Sequence, residues 1–302
     1  MAKGKVVGLG LSVLDEAYLV DDFEIHAVRT RFHARRVAPG GMVSNAIVQA
    51  AELGVAGHLL TMLGNDADGD FIAKQLRSHG VVTRGVVRSK TQPTTVSVVL
   101  VDRRSKDRRF LVPDRRKIEA QCPDFDLSSI NSSTVLLVDG HFPKQAMRAV
   151  RRARECGAVV VADFHTPRPG CMKLLPFVDY PIVSSEFGTA WQKRSPRQTI
   201  RALHEQYGGN PVVTLGEKGA VGLIEGRLID IPAARVRVRD TTGAGDAFHG
   251  AFAAGLCLGY SAEQSLHLAS RAAAKCCTEF GATARPLRSN EISVRPAGCA
   301  RK

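Results

Sequence analysis

The stretch Asp240-Thr241-Thr242-Gly243-Ala244-Gly245-Asp246-Ala247-Phe248-His249-Gly250 sets two small-residue turns and a carboxylate at the start of a helix. Backbone N–H groups freed by Gly243 and Gly245, added to the positive end of a helix dipole, make a cradle for an anion. Asp246 sits where a carboxylate is unwelcome beside that anion unless it is there to take a proton. An anion hole next to a base is what phosphoryl transfer to a hydroxyl requires, because one holds the charge on the transferring group and the other receives the hydroxyl proton. The plain alternative is an N-capping aspartate after a glycine-rich loop. For an isolated Gly-x-Gly-Asp that alternative is the better reading, so the rest of the chain has to decide.

Outward from this segment, apolar runs alternate with helical patterns. Lys5–Gly10, Val135–Val138, Val159–Ala162 and Pro211–Leu215 read as buried strands, and the Lys5–Gly10 run ends in glycine. Asn45–Leu53 has helical composition and stops at Gly54, and Asp66–His79 carries early acids and an Ile72/Leu76 pair before Gly80. Ala146, Ala149, Val150 and Ala153 form one helical face with Arg148, Arg151, Arg152 and Arg154 mostly outward, and Ile200, Leu203 and Tyr207 form another stripe. The alternation predicts a parallel sheet covered on both faces. Arg29–Val37 and Thr95–Val112 break the rhythm: both are β-rich, lack helical periodicity and are studded with arginine. They predict a small β layer that serves as a lid, or alternatively a pair of surface hairpins with solvated charges. With no repeat or low-complexity linker, residues 1–302 read as one domain plus this lid.

Composition excludes several classes. At 302 residues, 44% hydrophobic and 24% charged, the chain has ample core for an α/β protein. No window of 18 apolar residues offers a membrane span, and Met1-Ala2-Lys3-Gly4-Lys5 runs straight into a strand rather than a secretory signal. The seven cysteines are odd in number and lack CxxC pairs, which predicts reduced thiols in a cytoplasmic protein. A net charge of +13 admits a nucleic-acid hypothesis, but the basic residues are spread along the chain with no zinc-finger spacing or aromatic-rich basic sheet. No nucleic-acid partner is therefore expected.

Three further segments carry chemistry. In Pro39-Gly40-Gly41-Met42-Val43-Ser44-Asn45 a diglycine turn precedes a helix, and the Asn45 amide can donate to and accept from hydroxyls; a tight turn with an Asn cap is the alternative. Asp15 lies just beyond the first strand, where a parallel sheet presents ligand groups. Thr214-Leu215-Gly216-Glu217-Lys218-Gly219 follows a buried strand, and reads either as a phosphate loop or as a plain glycine turn.

The eleven-residue string, together with the GGxxxN form of Gly40–Asn45 and the following Ala51-Glu52-Leu53-Gly54, resembles the ribokinase-like carbohydrate kinases, the phosphofructokinase-B family. The resemblance runs from Val6 to about Thr283. It implies an α/β three-layer ribokinase-like sandwich with a mainly parallel central sheet and a small β lid drawn from about 12–39 and 92–116. It also implies ATP-dependent, Mg²⁺-dependent phosphorylation of a small sugar. By the same resemblance Asp246 is the base, with Gly243, Ala244 and Gly245 forming the anion hole. Asp15, Gly40, Gly41 and Asn45 bind sugar; Thr214, Gly216, Glu217 and Gly219 meet nucleotide phosphates; and Ser270, in the small-residue run Ser270–Cys277, belongs to the adenine pocket, although such small residues equally suit close helix packing.

For the metal, Ser184-Ser185-Glu186-Phe187-Gly188 departs from the family's Asn-x-x-Glu motif at both ends, leaving Glu186 to orient a water on Mg²⁺. Asp240 and Thr242 match positions that bind a monovalent cation, K⁺, in several relatives. A homodimer is the expected assembly. Val20-Asp21-Asp22-Phe23 and Gly64-Asn65-Asp66 with Gly69 lean toward the ketohexokinase and sulfofructose-kinase side, whereas Thr30, Val112 and His141 stand where sulfonate-binding side chains are expected and argue against a sulfosugar. The lid arginines Arg31, Arg35, Arg108 and Arg109 suit an anionic substrate, with only one or two of them facing inward along an alternating strand. Sugar phosphates, sugar acids and nucleosides are the alternative substrates, and a basic nucleic-acid-binding or regulatory protein on a kinase fold is the non-enzyme alternative. A dinucleotide site is disfavoured because Gly8-Leu9-Gly10-Leu11-Ser12-Val13 lacks the third glycine, and no GxxxxGK[ST] occurs.

Overall fold

The computed structural model describes residues 4–23, 30–105, 107–114 and 116–292. In chain order, β1 (Lys5–Leu9), β2 (Val13–Val20), β3 (Phe32–Gly40), α1 (Met42–Glu52), β4 (Ala56–Gly64), α2 (Ala67–Ser78), β5 (Val86–Ser89), β6 (Val96–Asp102) and β7 (Arg108–Leu111) come first. Then follow α3 (Arg116–Ala120), β8 (Thr134–Val138), α4 (Pro143–Cys156), β9 (Val159–Phe164), α5 (Pro169–Leu174), β10 (Tyr180–Ser184), α6 (Ser185–Gln192) and α7 (Pro196–Tyr207). The chain continues through β11 (Val212–Thr214), β12 (Ala220–Ile224), β13 (Arg227–Ile231), α8 (Ala244–Cys257) and α9 (Ala262–Cys276).

The large sheet has the order β13-β12-β11-β10-β9-β8-β1-β4-β5. Its strands from β5 to β11 pair in parallel, and β12 and β13 extend one edge by antiparallel pairing. Both faces are buried, which explains the unbroken apolar runs. Val6, Leu137, Val161, Ile182 and Val212 point to a core with α1, α2, α8 and α9. Their neighbours Val7, Leu136, Val160, Val183 and Val213 point to the core under α4 to α7, as the period of two demands. The strands read from sequence all form. β10 escaped that reading because Pro181 interrupts its run, a residue that removes a ladder donor.

The small sheet has the order β3-β2-β6-β7, with β2 and β6 parallel and the outer pairs antiparallel. Its strands come from the two segments predicted to supply a lid, although the start of the first arginine-rich stretch, at Arg29, lies outside the described residues. Asp15 was expected just past a strand. It is instead the third residue of β2, paired with Ala38 and Ser97.

Strand order reverses at β1, which lies between β4 and β8 and leads directly into the small sheet. Such a reversal opens a crevice at the carboxyl ends of the strands. Helix α8 closes that crevice from below. It packs against α1 so tightly that a Cβ on Gly250 would stand 2.0 Å from the Ala46 carbonyl oxygen. Gly250 is one turn beyond Asp246 on the same helix face, and Asn45 adjoins Ala46, so this backbone approach brings the two predicted signatures together.

Candidate active site

Asp246 is the third residue of α8, whose N-cap, Gly243, holds a left-handed backbone (φ 77°) and offers no side-chain cap to the first-turn amides. The Ala244 N–H donates to the Thr241 carbonyl at 3.2 Å, which leaves the Gly245 and Asp246 N–H groups available to an anion. A Cβ on Gly245 would meet nothing within 4 Å, so the turn faces open space, whereas one on Gly243 would strike Ala282 at 2.4 Å. The Asn45 amide, near the start of α1, donates to Asp246 Oδ2 at 2.7 Å across 201 residues of sequence. Its own Oδ1 is buried without a hydrogen-bond partner. Burial pushes the Asp246 carboxyl up to about 6 and the charge of Asp163 adds to this; the Asn45 hydrogen bond, His249 and His165 oppose it.

Asp15 faces the same space from β2. Burial raises its carboxyl to about 7 against a hydrogen bond from Ser97, with the charge of Asp246 adding to the rise. The glycine pair makes room for this arrangement: a Cβ on Gly40 would fall 1.9 Å from Asp15 Oδ2, and one on Gly41 (φ 97°) would fall 2.3 Å from the Leu11 carbonyl oxygen. Both glycines are therefore required by internal packing, whatever a ligand asks of them.

The candidate nucleotide end is more open. Thr214 ends β11 and its hydroxyl reaches the Val183 carbonyl at 3.5 Å. Gly216 and Glu217 are exposed in a 3-10 turn, and Gly216 (φ 59°) has open space where a Cβ would stand. Gly219 differs, because its Cβ would lie 2.0 Å from the Ile231 carbonyl oxygen. Ser270 on α9 is buried and donates to the Pro232 carbonyl at 2.8 Å, so it ties α9 to the segment after β13. Beside it lies a cavity of about 380 Å³, lined by Ala234, Val236, Ala274, Lys275, Thr278 and Leu287 among others.

Of the residues expected to serve cations, Asp240 and Thr242 lie in the loop before α8 and Glu186 lies on α6. Asp240 is buried: Oδ1 accepts the Thr242 amide (2.9 Å) and hydroxyl (2.7 Å), and Oδ2 accepts the Gly281 amide (2.8 Å). Glu186 is exposed in the first turn of α6 behind the N-cap Ser184, with Ser185 Oγ 3.3 Å from its Oε2. Gly188, where the resemblance leads to an expected glutamate, packs closely on α7: a Cβ would lie 2.0 Å from Thr199 Oγ1, so Thr199 would have to move to admit one. Among the described residues no group of three or more His, Cys, Asp or Glu could hold a metal ion.

The four arginines singled out from sequence, of which Arg35, Arg108 and Arg109 lie in the small sheet and Arg31 just before β3, part company. Arg108 turns inward and its guanidinium donates to the Thr241 hydroxyl, in the loop that leads into the Gly243–Asp246 turn. Arg109 lies over the Phe23 ring at 4.7 Å, Arg35 pairs with Glu16 at 3.4 Å and meets the Tyr18 hydroxyl, and Arg31 is exposed. Arg36, not singled out from sequence, donates to the Phe280 carbonyl at 2.8 Å, next to the Gly281 that binds Asp240. The one inward arginine of the four thus reaches the signature loop.

Sequence reasoning missed three buried groups beneath this site. Asp139, just past β8, accepts the Leu11 amide at 2.8 Å and the His141 amide at 2.9 Å. Asp163, near the end of β9, and His249, on α8, approach within 3.4 Å of each other. A carboxylate closing an apolar run, as in Val135–Asp139 and Val159–Asp163, was the available signal. His141 is itself buried, bonded to Glu119 Oε1 at 2.5 Å through Nδ1 and facing Arg168 at 3.4 Å through Nε2.

With this geometry in place, comparison with known proteins is decisive for the class. Residues 3–290 match the pfkB family carbohydrate kinase model, and the chain belongs to that family. The ribokinase of Lactococcus lactis is 27% identical over 86% of each chain, and the ketohexokinase of Mus musculus is 23% identical over 92% of this chain and 97% of its own. A putative ribokinase from Agrobacterium tumefaciens superposes with a TM-score of 0.88 at 24% identity, covering 96% of both chains, which establishes the fold. Other proteins of this fold have been solved with ATP and Mg²⁺, and with potassium. The chain is thus a carbohydrate kinase, a phosphotransferase acting on a sugar hydroxyl.

Proposed function

We propose that this chain transfers the γ-phosphoryl group of ATP to a hydroxyl of a small, ketose-like sugar held between the two sheets. The observation that carries this reading is the Asn45–Asp246 hydrogen bond, which joins the two glycine signatures at one carboxylate. The orphaned Asn45 Oδ1 is an acceptor waiting for a hydroxyl proton, and the Asp15 carboxyl supplies another polar contact for a polyol. Asp246 takes the proton of the attacking hydroxyl. The Gly245 and Asp246 amides in the first turn of α8 receive the negative charge of the transferring group, where preorganised donors act with most effect.

Thr214, Gly216, Glu217 and Gly219 would lie along the nucleotide phosphates, and the cavity beside Ser270 would take the adenine. Mg²⁺ bound to those phosphates would neutralise charge developing between them. Such an ion keeps several waters, one of which Glu186 would hold. Asp240 and Thr242 fix the loop ahead of the anion hole, and a K⁺ ion would act at that same loop. The small sheet is the lid, latched by Arg108 on Thr241, and its exposed Phe32, Phe110 and Leu111 suit pairing with a second copy in a homodimer. The basic excess is spread in surface pairs such as Arg148–Asp124 and Arg197–Asp230, which suits solvation better than a nucleic-acid groove.

The test is ADP release with ketoses, aldoses, sugar acids, sugar phosphates and nucleosides. Release that depends on a neutral sugar and on Asp246 supports the reading. Preference for an anionic sugar would move the substrate class, and release of no ADP with any acceptor would overturn the proposal. Light scattering during gel filtration reads the assembly.

A further inference from the structure

His249 lies on α8 one turn beyond Gly245, and its Nδ1 is 2.6 Å from the Gly245 carbonyl oxygen. A carbonyl oxygen can only accept, so Nδ1 carries the proton. The same Nδ1 stands 3.4 Å from Asp163 Oδ2, with both side chains almost wholly buried. Neither Asp163 Oδ2 nor His249 Nε2 has a hydrogen-bond partner. Buried polar atoms left unpaired are costly, so a pair kept in this state under a reaction site calls for a role.

The role follows from what the imidazole holds. The Gly245 carbonyl and the Asp246 N–H belong to one planar peptide unit. Fixing that oxygen fixes the direction of that N–H, one of the first-turn donors offered to the transferring phosphoryl group. A donor on the oxygen also polarises the unit and strengthens the N–H, because linked hydrogen bonds reinforce each other. Gly245 has no side chain of its own to hold this unit, which otherwise rests only on the first turn of the α8 ladder.

We propose that His249, seated against Asp163, is a positioning residue that holds the Gly245–Asp246 peptide so that the anion-hole amide and the Asp246 carboxylate act as one rigid unit. This rests on the kinase reading above. The groups facing the imidazole are the Gly245 carbonyl and Asp246 on its own helix, Asp163 from β9 and, opposite, the Ile182 carbonyl of β10. Burial holds His249 below its ordinary range, so it serves as a neutral donor through Nδ1.

The experiment uses three substitutions. His249→Asn places an amide donor near the position of Nδ1, whereas His249→Gln carries its amide farther out and His249→Phe has no donor. ADP release is followed with D-fructose or D-ribose, whichever the unaltered chain turns over faster. The affinity for ADP with aluminium fluoride and Mg²⁺, a mimic of the transferring phosphoryl group, is measured alongside. The Gln and Phe variants are expected to lose roughly 10- to 100-fold in kcat, below the full cost of removing an anion-hole donor, with ATP KM little changed. They should lose a similar factor in affinity for the mimic, while Asn retains most of both.

Gln and Phe variants within twofold of the parent, or an Asn variant no better than Gln at the same Tm, would overturn the proposal. Asp163→Asn guards against misfolding of the His249 variants: removing its charge should move the acid limb of kcat/KM to lower pH, and an unmoved limb also counts against it. A parent chain that releases no ADP would refute the kinase reading alone, and the mimic affinities would then decide the positioning role.

Discussion

The two ends of the crevice are built differently. At the proposed sugar end, Asp15, Asn45, Asp246, Asp163 and His249 converge from β2, α1, α8 and β9 into contacts set by backbone packing, with glycines at 40, 41 and 250 clearing the space. At the proposed nucleotide end the turn at 216–218 is exposed, and the cavity beside Ser270 is bordered by Arg271, Lys275 and Arg285, of which Lys275 also pairs with Glu291. One end is rigid because displaced protein atoms would collide. The other tolerates change because its groups reach from the surface. Perturbations should therefore cost most where geometry is set by packing and least where it is set by side-chain reach.

The largest effect belongs to Asp246→Asn. It keeps the shape and the Asn45 contact while removing the proton acceptor, so kcat should drop by about 10²- to 10⁴-fold with nucleotide affinity nearly unchanged. A steady-state assay paired with calorimetry of ATP binding checks both halves, and a variant with parental kcat would end the general-base assignment.

Acidity gives the next test. With Asp246 near 6 and Asp15 near 7, kcat/KM should fall as pH drops through that range, steepest where both carboxyls take up protons. The stability sign is opposite to that of an ordinary aspartate such as Asp66, which hydrogen bonds from Thr94 and Gly69 hold low despite its burial. A raised carboxyl binds more protons folded than unfolded between about 4 and 7, so its contribution to stability falls as pH rises through that window. Melting curves of the ligand-free protein from pH 7 to 5 should show this component rising on acidification, and Asp15→Asn should flatten it. A component that rises with pH instead would mean these carboxyls are not raised.

Gly250→Ala tests the packing itself. Its methyl would enter the 2.0 Å gap to the Ala46 carbonyl, and overpacking of this kind costs about 1–3 kcal/mol. Because Asn45 adjoins Ala46, the variant should lose activity as well as Tm. An Ala variant with unchanged kcat would show that α1 and α8 can separate without disturbing the Asn45–Asp246 bond.

How much of this was legible in the sequence follows the same division. The parallel sheet was readable because strands buried on both faces need continuous apolar runs, and Val135–Val138 and Val159–Ala162 supply them. Asp246, Asn45 and Asp15 were readable because turn glycines and carboxylates cluster at strand and helix ends. Asp163 and His249 were missed: the carboxylate closing the run Val159–Asp163 was a signal, but nothing in either segment points to a partner 86 residues away in the chain. The glycines at 40 and 41 were read as ligand contacts, whereas packing already accounts for both; only their neighbours in space reveal this. Alternation puts Arg108 and Arg109 on opposite faces, but neither which of them turns inward nor the Thr241 partner could be read from it.

Arg108→Leu probes the latch between the sheets. Losing one charge-assisted hydrogen bond to Thr241 removes about 1.5–3 kcal/mol at most, part of it recovered by solvation of the exposed loop. Sugar KM should rise several-fold with a smaller change in kcat, since the proposed lid would close without its tie. If KM rises for anionic sugars only, Arg108 contacts substrate and is not a latch.

The smallest effect is expected at Lys275→Ala. Lys275 on α9 bonds Glu291 at the edge of the cavity beside Ser270, and that contact, with the Arg288 amide, keeps the Glu291 carboxyl low. Its side chain is 18% exposed and that of Glu291 38% exposed, a setting in which ion pairs contribute about 0–1 kcal/mol. The substitution should shift Tm by only a degree or two and alter ATP KM by less than about threefold, less in high salt, because the pair is screened. If Lys275 instead meets the nucleotide directly, ATP KM would rise tenfold or more with no change in Tm. The nucleotide end would then hold a fixed contact like those at the sugar end, and the contrast between the two ends would fail at that residue.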